Sequence, residues 1–563
     1  MCGIWAVFGI QCDLKECFLA SFTKISKRGP DAWRLECDRR VKDATIGFHR
    51  LTIVDTLHGM QPMKLHAYPF QVLICNGELY NCKKLAKEEN FVYETNNDVE
   101  CILHLYNKYG IEKCVKNLDG VFAFCIVDVK KQAVYIARDP YGVRPLFKVT
   151  GANKVLGISS EAKGLVNLYK ELNEANKILE PFSPGTFEEY KLMENGTVKF
   201  LNSQRFHKPT DTPVFKPFLS YRDFTKDVYA NVRNLLTMAV KKRLMADRRI
   251  GCLLSGGLDS SLLAALLVAE TNKAKIPYKI QSFSVGMSDS PDLIAAREVA
   301  EYIGTEHHEV IFTEEDVEAV LDDVIYYLET PDITTVRASI GMYLVSKYIL
   351  EQTDTTVLIS GEGADELAQG YIYFRDAPDP TSAHNESIRL LKDIYLFDGL
   401  RADRTTSANS LELRVPFLDL QFSSYILNLP EEIRQPKDGK IEKFLIRSAF
   451  DETSLLPSKI LWRHKEAFSD GVASEKKSLF TILAEIVDKR MPEKFDEIKA
   501  AEMFPHCTPK TKESFYYRTV FEKHYPSLAN TLIPYFWMPK WINVNDPSAR
   551  FITHYAANVA EMS

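Results

Sequence analysis

Through the first 200 residues, apolar and β-branched positions gather in short runs separated by turn residues. They are IWAVFGI (4–10), ATIGFHRLTIVD (44–55), FQVLICNGELY (70–80), GVFAFCIVDV (120–129), AVYIARD (133–139) and VLGISS (155–160). Runs of this length and composition predict strands. A helical period stands out at 98–109, where Val99, Ile102, Leu103 and Tyr106 fall on one face. Residues 2–200 therefore predict an α+β domain built on antiparallel sheets. The stretch FHKPTDTPVFKPFL (206–219) has three prolines and little period, which predicts a connector over 201–220. Beyond it helix and strand alternate. An amphipathic helix is predicted from 221 to about 245, followed by strand 250–254, helix 260–270, strand 280–285, helix 292–303 and strands 309–312 and 355–359. That rhythm predicts an α/β doubly wound parallel sheet over 221–545, with a tail at 546–563. In such sheets ligands bind beyond the carboxyl ends of the strands.

The totals narrow the function classes. At 563 residues the chain exceeds what one core serves, so at least two domains are expected. A net charge of -6 gives no reason to expect a nucleic-acid partner, and the basic run Lys241, Lys242, Arg243, Arg248 and Arg249 reads as a solvated helix surface. The apolar stretch 121–127 suits a buried strand and is far short of the roughly 20 residues of a membrane span. The start, MCGIWAVFG, has no secretory leader pattern. Eleven cysteines, nine of them before residue 126 and none in a CxxC pair, fit reduced thiols in the cytosol.

Candidate chemistry begins at Cys2. Met1 precedes a small residue, so its removal is expected, leaving a free α-amine on Cys2. That amine titrates at about 7.7–8 and the thiol at about 8.5, so base and nucleophile would share one residue. Attack on a carboxamide needs, besides, donors for an oxyanion and a clamp for the substrate's charges. A Cys-Gly start alone is weak; its company is not. RGPD (28–31), HRLTIVD (49–55), NGELYN (76–81), Asp98 in TNNDVE, LDGVFAF (118–124), RDPYGVRPL (138–146) and SSEAKGL (159–165) follow in order. Together they resemble the class II glutamine amidotransferase domain, an Ntn-hydrolase αββα sandwich. The resemblance implies that Cys2 is the nucleophile and that Asn76 and the Gly77 N–H form the oxyanion hole. It implies further that Arg50 holds the α-carboxylate of glutamine, that Glu78 and Asp98 hold its α-ammonium, and that Leu51, Thr52, Ile53 and Val54 line the site. Lys27 stands where many members have His.

After the predicted strand 250–254 comes SGGLDSS (255–261), opening into an apolar helix. Glycines that admit close approach, hydroxyl donors and a helix N-terminus make a phosphate cradle. No GK[ST] follows, so this is not the Walker pattern. It resembles the pyrophosphate loop of ATP pyrophosphatases, a HUP-like fold that cleaves ATP between the α- and β-phosphates. Ser255, Gly256, Gly257, Leu258, Asp259, Ser260, Val285, Ser360 and Gly361 are the expected nucleotide contacts. SGEGADE (360–366) gathers three acids, costly in a dry pocket without a cation or a proton task. Its resemblance to asparagine synthetases implies that Asp365 shares Mg²⁺ with Asp259 and that Glu362 serves the step in which ammonia meets activated aspartate. TTVRAS (334–339) resembles the aspartate-recognition segment, with Thr334, Thr335 and Arg337 as its contacts. LELRVPFLD (411–419) and WRHKEAFSDG (462–471) complete the match, and Lys465 is the implied cation facing the departing pyrophosphate. Pro331 and Ala364 stand where an aromatic residue and Ser are common, and His464 takes no role.

The match spans Cys2 to DPSAR (546–550) and is closest to the animal members of the family. It implies synthesis of asparagine from aspartate, ATP and glutamine through β-aspartyl-AMP, an internal passage for ammonia, and a cytosolic homodimer that involves neither nucleic acid nor membrane. Two other readings stay open at this point. A β-lactam-synthetase-like relative would lack a working N-terminal cysteine, and an idle scaffold would have lost some of Cys2, Asp259, Glu362 or Asp365.

Overall fold

The computed structural model describes residues 1–10, 15–151, 154–172, 176–217, 225–436, 440–465, 472–473 and 477–542. Outside them lie 218–224, which hold the end of the expected connector and the start of the expected helix, 466–471 of the WRHKEAFSDG motif, and the expected tail 546–563.

The chain forms two compact units. The first comprises Met1–Lys216 with two short later segments, Met245–Arg248 and Ser407–Glu412; the second comprises Pro217–Leu244, Arg249–Thr406 and Leu413–Ser563.

In the first unit the strands are β1 (Gly3–Phe8), β2 (Ala32–Cys37), β3 (Ala44–Arg50), β4 (Gln71–Leu79), β5 (Gly120–Asp128), β6 (Ala133–Arg138), β7 (Phe147–Thr150), β8 (Leu156–Ser159), β9 (Ile178–Pro181), β10 (Thr186–Leu192) and β11 (Val198–Arg205). They make two sheets, ordered β2-β3-β1-β8-β7-β9 and β11-β10-β6-β5-β4, with antiparallel pairing. Ile4, Ala6, Phe8, Ile46 and Phe48 of one sheet pack against Val72, Ile74, Ala123, Cys125 and Ile136 of the other. Helix Glu100–Asn117 covers the outer face of the second sheet through Cys101, Ile102 and Leu105 against Leu73, Phe122 and Phe124. Trp5 meets Phe18 and Phe22 of helix Lys15–Thr23 and its indole N–H donates to Gly164 O at 2.9 Å, which closes the fourth layer. Burying β1, β3, β4, β5 and β6 on both faces explains their near-continuous apolar runs.

The expected connector begins too early. Position 201 falls inside β11, whose residues are mostly exposed. An edge strand facing solvent has no buried face to write an apolar alternation into the sequence. The helix predicted over 98–109 runs on to Asn117 past a break at Gly110, whose φ of 77° interrupts the helical backbone.

The second unit is built on a sheet ordered β14-β13-β12-β15-β16, with β12 (Arg249–Leu253), β13 (Gln281–Gly286), β14 (Glu306–Ile311), β15 (Thr355–Ile359) and β16 (Glu412–Arg414). Its pairs β12–β13, β12–β15 and β13–β14 are parallel, as the helix–strand alternation predicts. Helices Leu258–Lys273, Pro291–Ile303, Glu314–Leu328 and Ile333–Gln352 connect the strands. The first of these is apolar on every side and buried from Ser261 to Leu267.

Candidate functional site

Strand register brings together the residues expected at the amidotransferase site. β1 pairs with β3 so that Gly3 faces His49, which sets Cys2 beside Arg50 and Leu51. The Cys2 thiol donates to Leu51 O at 3.5 Å, and Arg28 Nε donates to Cys2 O at 3.0 Å. Asn76, Gly77 and Glu78 sit on β4, at the edge of the second sheet. A Cβ at Gly77 would lie 2.6 Å from Val121 O, so only glycine lets β4 close on β5 here. Asn76 is 1% exposed, and its Nδ2 is a buried donor with no hydrogen-bond partner among the described residues. Asp98 accepts from Leu79 N–H at 2.6 Å, which ties it to the same strand.

The loop 51–55 is held by its own backbone. Arg50 donates to Asp55 O, Thr52 N–H donates to Asp31 at 2.7 Å, and Val54 O accepts from Asn97 at 3.3 Å. Asp247 N–H donates to Ile53 O at 2.8 Å, and Arg248 Nε donates to Thr52 O at 3.0 Å. Sequence reading missed Asp247 and took Arg248 only as part of a solvated basic surface; both lie almost 200 positions downstream. Lys27 contributes its carbonyl, which accepts from Ser410 Oγ at 2.7 Å, while its side chain is exposed.

With Met1 in place the terminal amine is buried and its pKa is pushed down to about 6 by that burial. Burial likewise pushes the Cys2 thiol up to about 11, and the nearby Glu412 and Glu78 carboxylates add to the rise.

In the second unit the C-terminal ends of β12 and β15 lie side by side, because Cys252 pairs with Ile359. The loops that follow, 255–261 and 360–366, therefore open onto one cavity of about 310 Å³. Of the residues expected at the nucleotide and aspartate sites, Ser255, Gly257, Leu258, Asp259, Ser260, Val285, Thr334, Arg337, Ser360, Gly361, Glu362, Asp365 and Lys465 line it. Gly256 and Thr335 do not. Gly256 has a φ of +73° and its position for a Cβ lies 2.5 Å from Ala295 Cβ, so it shapes the loop from behind. Thr335 donates its hydroxyl to Asp332 at 2.8 Å as part of a helix cap. Thr334 Oγ1 is buried without a hydrogen-bond partner and lines the cavity. Arg337 is engaged bidentately with Glu513, at 2.9 and 2.7 Å, where the resemblance implies a grip on substrate carboxylate. His464 borders the cavity, and Ala364 is buried behind it.

Charge in this cavity is arranged in two clusters. Asp365 accepts from Lys465 Nζ at 2.7 Å and lies 2.5 Å from Lys443 Nζ, which also contacts Asp259. Burial opposes ionisation of Asp365, yet Lys443 and Lys465 together hold its carboxyl well below the usual range. Asp259 and Asp365 thus converge on one cation-sized position, and among the described residues no third His, Cys, Asp or Glu side chain joins them there. Such a pair fits Mg²⁺ whose other ligands are phosphate oxygens and water. In the second cluster Arg401 Nη2 donates to Glu362 at 2.9 Å and Asp398 at 2.8 Å, while the Tyr371 hydroxyl lies 2.9 Å from Glu366 and 3.2 Å from Asp398. Burial raises Glu362 to about 7 against the pull of Arg401, and burial with the Asp398 charge raises Glu366 well above the ordinary value. Lys443, Asp398, Arg401 and Tyr371 were missed by sequence reading. For Lys443 the signal available was KIEKFLIR, charges set in an apolar stretch, which reads equally well as a surface helix.

Comparison with known proteins joins these two sites in one activity. The model for a glutamine amidotransferase domain matches residues 1–212, and the model for asparagine synthase matches residues 231–383 and 375–541. The chain is 54% identical to the rat asparagine synthetase [glutamine-hydrolyzing] over 561 residues, 99% of each chain. It is 53% identical to the chicken enzyme of the same description over 567 residues, all of both chains, and 53% identical to the human one over 567 residues, 99% of this chain and 100% of that. With an Ntn-type amidotransferase domain followed by a parallel-sheet synthetase domain matched along essentially its full length, the chain belongs to the glutamine-hydrolysing asparagine synthetases.

Proposed function

We propose that this enzyme makes asparagine in two half-reactions divided between its units, with β-aspartyl-AMP as the intermediate. In the first unit the Cys2 thiol, freed by loss of Met1 and deprotonated by its own α-amine, attacks the side-chain amide carbon of glutamine. Asn76 Nδ2 and the Gly77 N–H donate to the oxyanion, Arg50 takes the α-carboxylate, Glu78 and Asp98 take the α-ammonium, and residues 51–54 complete the wall. Ammonia leaves, and water hydrolyses the thioester to glutamate.

In the second unit the loop 255–261, with Ser360, Gly361 and the apolar contact of Val285, cradles ATP. An oxygen of the aspartate β-carboxylate attacks the α-phosphorus, and the bond to pyrophosphate breaks. Asp259 and Asp365 would hold the Mg²⁺ that neutralises phosphate charge, and Lys465 offsets charge on the departing pyrophosphate. Thr334 supplies a free hydroxyl toward aspartate, Arg337 stands with it on the cavity wall, and Thr335 caps the helix behind them. Ammonia then attacks the acyl carbon, AMP leaves, and Glu362 accepts the proton that nitrogen sheds. The observation that carries this reading is the convergence of Asp259, Asp365, Lys443 and Lys465 beneath the glycine loop in a single cavity.

The test is mass spectrometry of the products formed from glutamine, aspartate and MgATP. AMP and pyrophosphate in step with asparagine are expected, and ADP would overturn the scheme. A homodimer in the cytosol belongs to the same proposal. Ten described cysteines, all free, and the absence of any membrane-length apolar helix among the described residues support the location. Light scattering checks the dimer.

A further inference from the structure

The ammonium of Lys443 occupies the place between Asp259 and Asp365, and three features show that the fold is built to put it there. First, Lys443 is a lysine only 3% exposed, with the two carboxylates as its contacts. Second, its backbone lies in the left-handed region, φ 57° and ψ 27°, at the start of helix Phe444–Phe450. Any side chain with a Cβ is uncommon there, and here that backbone turns the lysine into the pocket. Third, Gly370 leaves room for it: a Cβ at that position would fall 2.0 Å from Lys443 Cε and 2.1 Å from Asp365 Oδ1.

We propose that Lys443 is a resident cation of the synthetase pocket, a positioning residue that holds Asp259 and Asp365 together in the nucleotide-free chain and keeps free divalent metal out. Two carboxylates brought together in a buried cavity repel unless a cation lies between them. A divalent ion arriving alone must displace the ammonium and leave it buried with no anion to meet. ATP arriving with its metal brings phosphate oxygens, to which the lysine can move while the ion takes the carboxylates. Metal binding thereby becomes conditional on nucleotide. This inference rests on the reading of Asp259 and Asp365 as the metal pair, and the experiment separates the two.

Manganese(II) serves as the probe, read by electron paramagnetic resonance on the full chain, with and without α,β-methylene-ATP, which cannot be cleaved at the α–β position. Nucleotide-free wild-type protein is expected to bind the ion weakly and to melt at the same temperature with or without it. Lys443→Met, which keeps length and removes charge, is expected to bind it at least about tenfold more tightly without nucleotide. It should also melt lower than wild type and recover on adding the ion alone. Lys443→Gln provides the same comparison if the methionine variant does not fold. Equal nucleotide-free affinity in wild type and variant would overturn the proposal, as would tight binding by nucleotide-free wild type on its own. The metal reading fails separately, if Asp259→Asn binds manganese with the ATP analogue as well as wild type does.

Discussion

Glu362 shows how a single carboxylate can be legible in sequence while its working state is not. The motif SGEGADE marks it as an acid in need of a task, but its pKa of about 7 comes from burial, countered by Arg401 at 2.9 Å. If Glu362 accepts the proton released by nitrogen, only its ionised form works. The ammonia-driven rate, corrected for the fraction present as NH₃, should then rise with pH through about 7 and level off above it. Glu362→Gln should remove that limb and lower asparagine formation by about 10²–10⁴. ATP–pyrophosphate exchange, which reports adenylation alone, should survive; a variant with the wild-type profile would take Glu362 out of the step. His49 gives a second pH effect, on stability. It is buried, stacked on Phe22 at 3.8 Å, and burial lowers its pKa to about 4. With the folded value below the unfolded one near 6.5, the stability of the neutral form is complete above pH 6.5 and is lost as pH falls toward 4. Between pH 7 and 5 the first unit should lose about 2 kcal/mol from this residue. Thiol labelling of buried Cys75 and Cys125 in denaturant measures it, and His49→Gln should flatten the dependence. Arg337 marks the limit of motif reading: its partner Glu513 lies 176 positions away, and no local pattern announces that pair.

At the level of elements, the long apolar runs β1, β3, β4, β5, β6, β12 and β15 were readable, while the exposed β2 and β11 and the buried but polar-rich β10 were not. The strand predicted at 355–359 is β15 residue for residue, because TTVLI lies inside the sheet between β12 and β16 and is largely buried. The polar edge strand β11 escaped, and with it the end of the first unit's sheet. Turns gave firmer signals where glycine is sterically required. Gly256 joins β12 to helix Leu258–Lys273 with positive φ and no space for a methyl group, 2.6 Å from Ala296 N. Gly256→Ala should cost on the order of 1–3 kcal/mol and displace the 255–261 loop. Melting of the variant, with ATP affinity by calorimetry, checks this; unchanged affinity would mean that the loop tolerates the shift.

For the whole molecule, the division of labour predicts which variants separate the two reactions. Cys2→Ala should abolish asparagine formation from glutamine while sparing formation from added ammonia, whereas Asp259→Asn should cut both routes. Coupled assays of asparagine with each nitrogen source decide the matter, and equal loss of both in the Cys2 variant would end the two-centre scheme. The first unit also contains Met245–Arg248 and Ser407–Glu412, segments that a linear division at 201–220 assigns elsewhere. The order of motifs along the chain was enough to establish the family and the two chemistries, because an amidotransferase loop or a phosphate loop depends on residues a few positions apart and on the period of the elements beside them. Which cation faces which carboxylate was decided only by the tertiary structure. Lys443 reaches Asp259 across 184 positions and Arg401 reaches Glu362 across 39, and such pairings exist only after the intervening chain has packed and excluded the water that would otherwise solvate both charges.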